Sequence, residues 1–164
     1  MKLQFPLIYR AEIEWTGERR GLLKADGLPK IDIAPPPEFH GHPGAWSPEQ
    51  LYVGSILSCF TMTFLAASLR AKLDIESFRV DGEAFLERVE GDGLQITGVI
   101  VRPRLLIRSV RDLERAHEIL EEAEGNCIIS KSIKPRPRLE PQVFHLQEPS
   151  YPCPPVVGDS PDAD

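Results

Sequence analysis

Residues 7–15 (LIYRAEIEW) alternate apolar and polar side chains, the period of a strand with one face in water. GERRG at 17–21 reads as a turn. LLKADG and LPKIDIA predict two short strands, punctuated by Asp26-Gly27 and Pro29. Pro35, Pro36 and Pro37, followed by FHGHPG, form a loop that neither a helix nor a central strand can accommodate.

At Ser47 the pattern changes. Ser47-Pro48-Glu49-Gln50 combines an N-cap serine, proline at the first helical position and glutamine three residues past the cap, the signature of a capping box. The helix it opens is predicted to reach about Lys72. Leu51, Val53, Ile56, Leu57, Phe60, Met62, Phe64, Leu65 and Leu69 cover nearly all its faces, so a buried central helix is expected. Gly54, Ser55 and Ser58 leave room for a second backbone beside it.

Two longer strands, 78–89 and 94–107, are predicted around Glu90-Gly91-Asp92-Gly93, a hairpin signal. Residues 111–124 carry a one-sided apolar stripe (Leu113, Ala116, Ile119, Leu120, Ala123) and predict an amphipathic helix stopped by Gly125. NCIISKSIK follows, then a last strand near 139–146. The elements predict an α+β fold with antiparallel sheet over residues 1–147. Residues 148–164, rich in proline and acid, predict a disordered tail. A helix apolar on all sides has too few partners in so short a chain, so a homodimer packed through the central helices is expected.

Composition narrows the function. The 164 residues carry a net charge of -6 with no basic tract, which argues against a nucleic-acid or anionic-membrane partner. Three cysteines make no disulfide scaffold. The N-terminal residues do not pattern as a signal peptide, and no stretch reads as a membrane span. A cytoplasmic protein with reduced thiols is expected.

The chemistry rests on Cys59, inside the apolar helix. Free cysteine is often a small buried hydrophobe. A second thiol, Cys127, in a short polar-flanked segment and the cations Arg19 and Arg20 in a glycine-bounded turn supply instead the parts of a redox site. An unperturbed thiol with a pKa of about 8.5 is only about 3% thiolate at pH 7. One arginine about 4 Å away would supply about 4 kcal/mol toward ionisation, enough to reverse that ratio. The first-turn dipole of Cys59's own helix lies too far away to help. Glu49 could orient such an arginine, or simply favour the helix start. Ten residues (59 − 49) put it about 15 Å from Cys59 along the helix, so a shared site needs Arg19 as a bridge or Glu49 from a second subunit. His40 and His42 lack the spacing of a metal site. Arg102, Arg104, Arg108 and Arg111 read as a solvated face, and Cys153, between two tail prolines, as a bystander.

TGERRG, SPEQLYVGSILSCF and GNCIIS together resemble the OsmC/Ohr family of osmotically inducible and organic-hydroperoxide-resistance proteins, over most of the chain. The resemblance implies an OsmC-like fold, antiparallel sheets around a buried central helix in an intertwined homodimer, and thiol peroxidase activity on organic or fatty-acid hydroperoxides. It implies no bound cofactor, but an external dithiol reductant, in some members a lipoylated protein. By position it implies Cys59 as peroxidatic cysteine, Cys127 as resolving cysteine, and Arg19 and Glu49 as their charged partners. Ile128 stands where the resembling motif has proline. Phe39, Trp46, Leu57, Phe60 and Met62 are the candidates for an apolar substrate wall. The alternative is a non-peroxidase member that holds an apolar ligand or partner at the dimer cleft.

Overall fold

The computed structural model describes residues 3–146; the acidic tail and Cys153 lie outside them. Strands β1 (Glu12–Gly17), β2 (Arg20–Lys24) and β3 (Ile31–Ile33) form an antiparallel sheet in that order. The alternating stretch at 7–15 thus contributes only its second half to a strand. Beyond a 3-10 turn at Pro37–Phe39, helix α1 (Pro48–Ala71) begins as its capping box dictates. The Ser47 hydroxyl accepts the Gln50 N–H at 3.1 Å, and the Gln50 side chain accepts the Ser47 N–H at 3.0 Å. Lys72 ends the helix in the left-handed region, at φ 53°.

Strands β4 (Ile75–Val89) and β5 (Gly93–Ile107) form the predicted long hairpin. Phe78, Val80 and Ala84 pair with Leu105, Pro103 and Val99 on one face, which packs against α1. Gly82 opens that face: a side chain there would meet the Ile100 carbonyl at 2.6 Å and Leu57 at 2.9 Å, so its absence lets α1 lie close. The opposite face is charged. Arg102 pairs with Glu83 and Glu140, and Arg104 with Asp81. Arg108 pairs with Asp74 and Glu76, so three of the four clustered arginines, Arg102, Arg104 and Arg108, carry acidic partners.

A 3-10 turn (Val110–Asp112) leads into α2 (Leu113–Asn126), which runs through Gly125 instead of stopping at it. Helix α3 (Ile128–Ser132) follows with only Cys127 between. The chain then returns as β6 (Arg138–Leu139) and β7 (Gln142–His145), both parallel to β5. The expected single antiparallel strand is thus two short parallel ones, broken at Pro141, which has no N–H to give the ladder. The two helices after β5 supply a crossover long enough for parallel pairing.

The core joins Ile56, Phe60 and Phe64 of α1 to Ala116, Ile119, Leu120 and Ala123 of α2 and to Val99, Val101, Leu105 and Ile107 of β5. Phe64 stacks on Phe78 with ring centroids 4.2 Å apart. Each buried aliphatic or aromatic side chain here contributes about 1.5–3 kcal/mol.

Within one chain α1 is not buried on every side. Met62 and Leu69 are 62% and 81% exposed, and Ser55, Ser58, Leu65 and Ala66 share that outer stripe. The helix is also long and apolar enough, by length and composition, to cross a bilayer, contrary to the sequence reading. Its packed face of Ile56, Phe60, Phe64 and Ala67 is that of a core helix.

Candidate functional site

The apolar register of α2 runs Ala116, Leu120, Ala123 and on to Cys127, one helical face that presses the junction against α1. Cys127 is fully buried. Its backbone, at φ -64° and ψ 116°, closes α2 and caps α3, and its sulfur accepts the Ser130 N–H at 3.5 Å. Cys59 lies midway along α1, partly buried. The Cys127 thiol lies near enough to the Cys59 sulfur for each to shift the other's ionisation, so two residues far apart in sequence form one dithiol.

The two thiols differ in acidity. Burial raises the Cys59 pKa, but donors within reach of its sulfur outweigh it: the backbone N–H of Ile129, the Cys127 thiol, the N–H of Ile128 and, least of all, the Thr63 hydroxyl. The net effect holds Cys59 below an ordinary thiol. Burial and the neighbouring Cys59 push Cys127 above one, against the opposing bonds from Ser130. Cys59 is therefore the more acidic thiol of the pair and Cys127 the less acidic.

The principal groups that lower Cys59 are neutral donors, and none is a cation. The sequence reading required an arginine because α1's own dipole is out of reach. The missing donors come from the chain turn after Cys127 instead. Their signal in the sequence was Cys127-Ile128-Ile129-Ser130, a cap residue followed three positions later by the N–H it accepts, and Thr63, four residues beyond Cys59 on the same helix face.

Arg19, Glu49, Trp46 and Phe39 lie elsewhere, toward the start of α1, and Leu57, two residues before Cys59, turns to the Gly82 side of the helix. Arg19 donates to the Phe39 carbonyl at 2.6 Å, and Glu18 meets His42 at 2.9 Å. Together these tie the β1–β2 turn to the proline-rich loop. Arg19 also lines a small apolar hollow with Trp15, Ile33 and Pro48. One carboxylate oxygen of Glu49 is buried without a hydrogen-bond partner. Glu49, Trp46 and Leu57 line a cleft of about 390 Å³ with Val53, Gly54 and Ala84. Phe39 and Glu49 line a second, of about 660 Å³. Cys59 lines neither, so a single chain brings the two thiols together and leaves the expected charged pair apart from them.

Two members of the expected apolar wall are placed differently. Phe60 is 1% exposed in the core, because one residue past Cys59 turns the side chain about 100° to the packed face. Met62 is exposed on the outer stripe. Among the described residues no group of three or more His, Cys, Asp or Glu side chains forms a metal site.

An α+β fold with two sheets, a long central helix and a dithiol at the helix junction defines the class of protein. Residues 41–142 match the OsmC-like protein family, and the chain belongs to that family. A relative from Bacillus subtilis (strain 168), the uncharacterized protein YmaD, is 26% identical over 125 residues, covering 73% of this chain and 82% of its own. Among solved structures, an OsmC-like protein of unknown function from Vibrio cholerae superposes with a TM-score of 0.77 at 19% identity, over 84% of this chain and 100% of that one. An organic hydroperoxide resistance protein OsmC from Legionella pneumophila gives a TM-score of 0.67 at 24% identity, over 85% of this chain and 99% of that one. At these identities the likeness is one of fold.

Proposed function

We propose that this chain is a cysteine-based thiol peroxidase that reduces organic hydroperoxides. The observation that carries the reading is the neighbouring Cys59–Cys127 pair, with Cys59 shifted down and Cys127 up from the ordinary thiol. A purely structural pair of core cysteines would not need three further donors aimed at one sulfur. The fold shared with the organic hydroperoxide resistance protein of Legionella pneumophila supports the substrate class.

In the proposed reaction the Cys59 thiolate attacks the outer oxygen of a hydroperoxide. The O–O bond breaks, and the alcohol leaves after taking up a proton. The resulting Cys59 sulfenic acid is attacked by the Cys127 sulfur. Water departs and a Cys59–Cys127 disulfide forms. An external dithiol then reduces this bond to two thiols and is itself oxidised.

In this reading the active unit is a homodimer. A second copy of α1, antiparallel to the first, would cover the exposed Met62, Leu65 and Leu69 stripe. A second subunit is also the source from which Arg19 and the unpartnered carboxylate of Glu49 would reach Cys59. The apolar cleft at Trp46, Val53 and Leu57 supports a second reading, a binding protein for an apolar ligand.

Reduced protein mixed with cumene hydroperoxide and a dithiol separates the two readings. The enzyme consumes peroxide, Cys59→Ser abolishes consumption, and Cys127→Ser gives a single turnover with Cys59 trapped as sulfenic acid. A protein that leaves the peroxide untouched, or a Cys59→Ser variant with full multiple turnover, overturns the peroxidase.

A further inference from the structure

Thr63 lies one helical turn beyond Cys59, on the same face of α1. Its hydroxyl donates to the Cys59 carbonyl at 2.8 Å. That carbonyl is already within the α-helical ladder, where the Thr63 N–H is its regular partner. The hydroxyl bond is therefore a second one, and the helix keeps its own bond if the hydroxyl turns away. Threonine in a helix has two accessible χ1 wells because its hydroxyl can bond the preceding turn in one of them. The Cys59 sulfur is the other acceptor within the hydroxyl's reach.

A hydroxyl has one proton to give. While Cys59 is a thiol, its sulfur is a weak acceptor and the carbonyl is the better partner. Once Cys59 loses its proton to solvent, the sulfur becomes an anion in a partly buried site. Hydrogen bonds to charged acceptors are about twice as strong as those to neutral ones. The preference reverses at the moment the nucleophile forms.

We propose that Thr63 is a switchable donor to the reacting sulfur, bonded to the Cys59 carbonyl in the thiol and to the Cys59 sulfur in the thiolate. The N–H groups of Ile128 and Ile129 and the Cys127 thiol act on the same sulfur, all of them uncharged donors. Thr63 is the only one of the four that α1 itself contributes.

The proposal rests on Cys59 being the reactive thiol of the proposed function. Its test needs no peroxide, so the two can fail separately. The full chain is alkylated with iodoacetamide across a pH series, and modification of Cys59 is followed by peptide mass spectrometry, which separates it from Cys127 and Cys153. Thr63→Val keeps the shape and removes the donor. Its midpoint for Cys59 alkylation is expected to rise by about one pH unit, a roughly tenfold loss of thiolate below the midpoint. Thr63→Ser keeps the donor and is expected to stay within a few tenths of a unit of the parent. Thr63→Ala, which favours the helix, repeats the test without the branched side chain. An unchanged midpoint in both Thr63→Val and Thr63→Ala, or an equal shift in Thr63→Ser, overturns the proposal. A shifted midpoint in a protein that consumes no peroxide leaves the switch standing and removes only the peroxidase.

Discussion

The thiol of Cys127, at the joint between α2 and α3, lies close enough to Cys59, in the middle of α1, for each to shift the other's ionisation. The contact spans the amphipathic packing of two helices. Its consequence is an asymmetric dithiol, one sulfur held toward the anion and the other toward the neutral thiol.

That asymmetry fixes an order of reaction. The Cys59 pKa lies below the ordinary thiol value and that of Cys127 above it, so as the pH rises Cys59 gains thiolate before Cys127 does. Alkylation near neutral pH should modify Cys59 first, and Cys127 should gain reactivity only as the pH climbs past the ordinary value. Peptide mapping after brief iodoacetamide exposure reads this directly. Faster labelling of Cys127 would reverse the proposed roles.

Ile128 is expected to act through its backbone. Proline at that position would remove one N–H from the Cys59 sulfur. It should be tolerated by the fold, because proline suits the first turn of a helix and Cys127 already holds the extended backbone that a following proline requires. Ile128→Pro should therefore raise the Cys59 pKa by about one unit with little loss of stability, while Ile128→Ala should leave it in place. Alkylation profiles and thermal melts of both variants make the comparison.

The exposed stripe of α1 predicts assembly. Replacing Leu69, 81% exposed, by lysine should leave the chain's own core intact and weaken a dimer formed through this face. Light scattering would show the parent near twice the chain mass and Leu69→Lys shifted toward the monomer, with far-UV circular dichroism unchanged. A parent that stays monomeric would leave Arg19 and Glu49 without a route to Cys59.

Phe60 is expected to matter for stability. Its side chain fills the core beside Ile56 and Phe64, so Phe60→Ala should cost about 3–5 kcal/mol, read by urea unfolding. Trp46, half exposed on the cleft, should cost far less when changed to alanine. Equal penalties would show that the cleft wall is part of the core.

Local patterns settled much of this molecule. Ser47-Pro48-Glu49-Gln50 determined where α1 begins, because a capping box is made by four neighbouring residues and needs no tertiary partner. The paired glycines at 91 and 93, both with positive φ, determined the β4–β5 hairpin in the same way. The motifs around Cys59 and Cys127 also marked the two thiols as candidates. The tertiary structure alone decided what surrounds them. An anion can be held by a cation or by several aligned neutral donors, and a sequence displays cations but not the aim of a backbone N–H. The donors from Ile128 and Ile129 exist only because α2 passes through Gly125 and delivers Cys127 directly to a new helix start against α1. The parallel return of β6 and β7 and the core position of Phe60 were likewise fixed by packing across elements. Strand direction and helix face follow from which distant surfaces meet, not from any short stretch of residues.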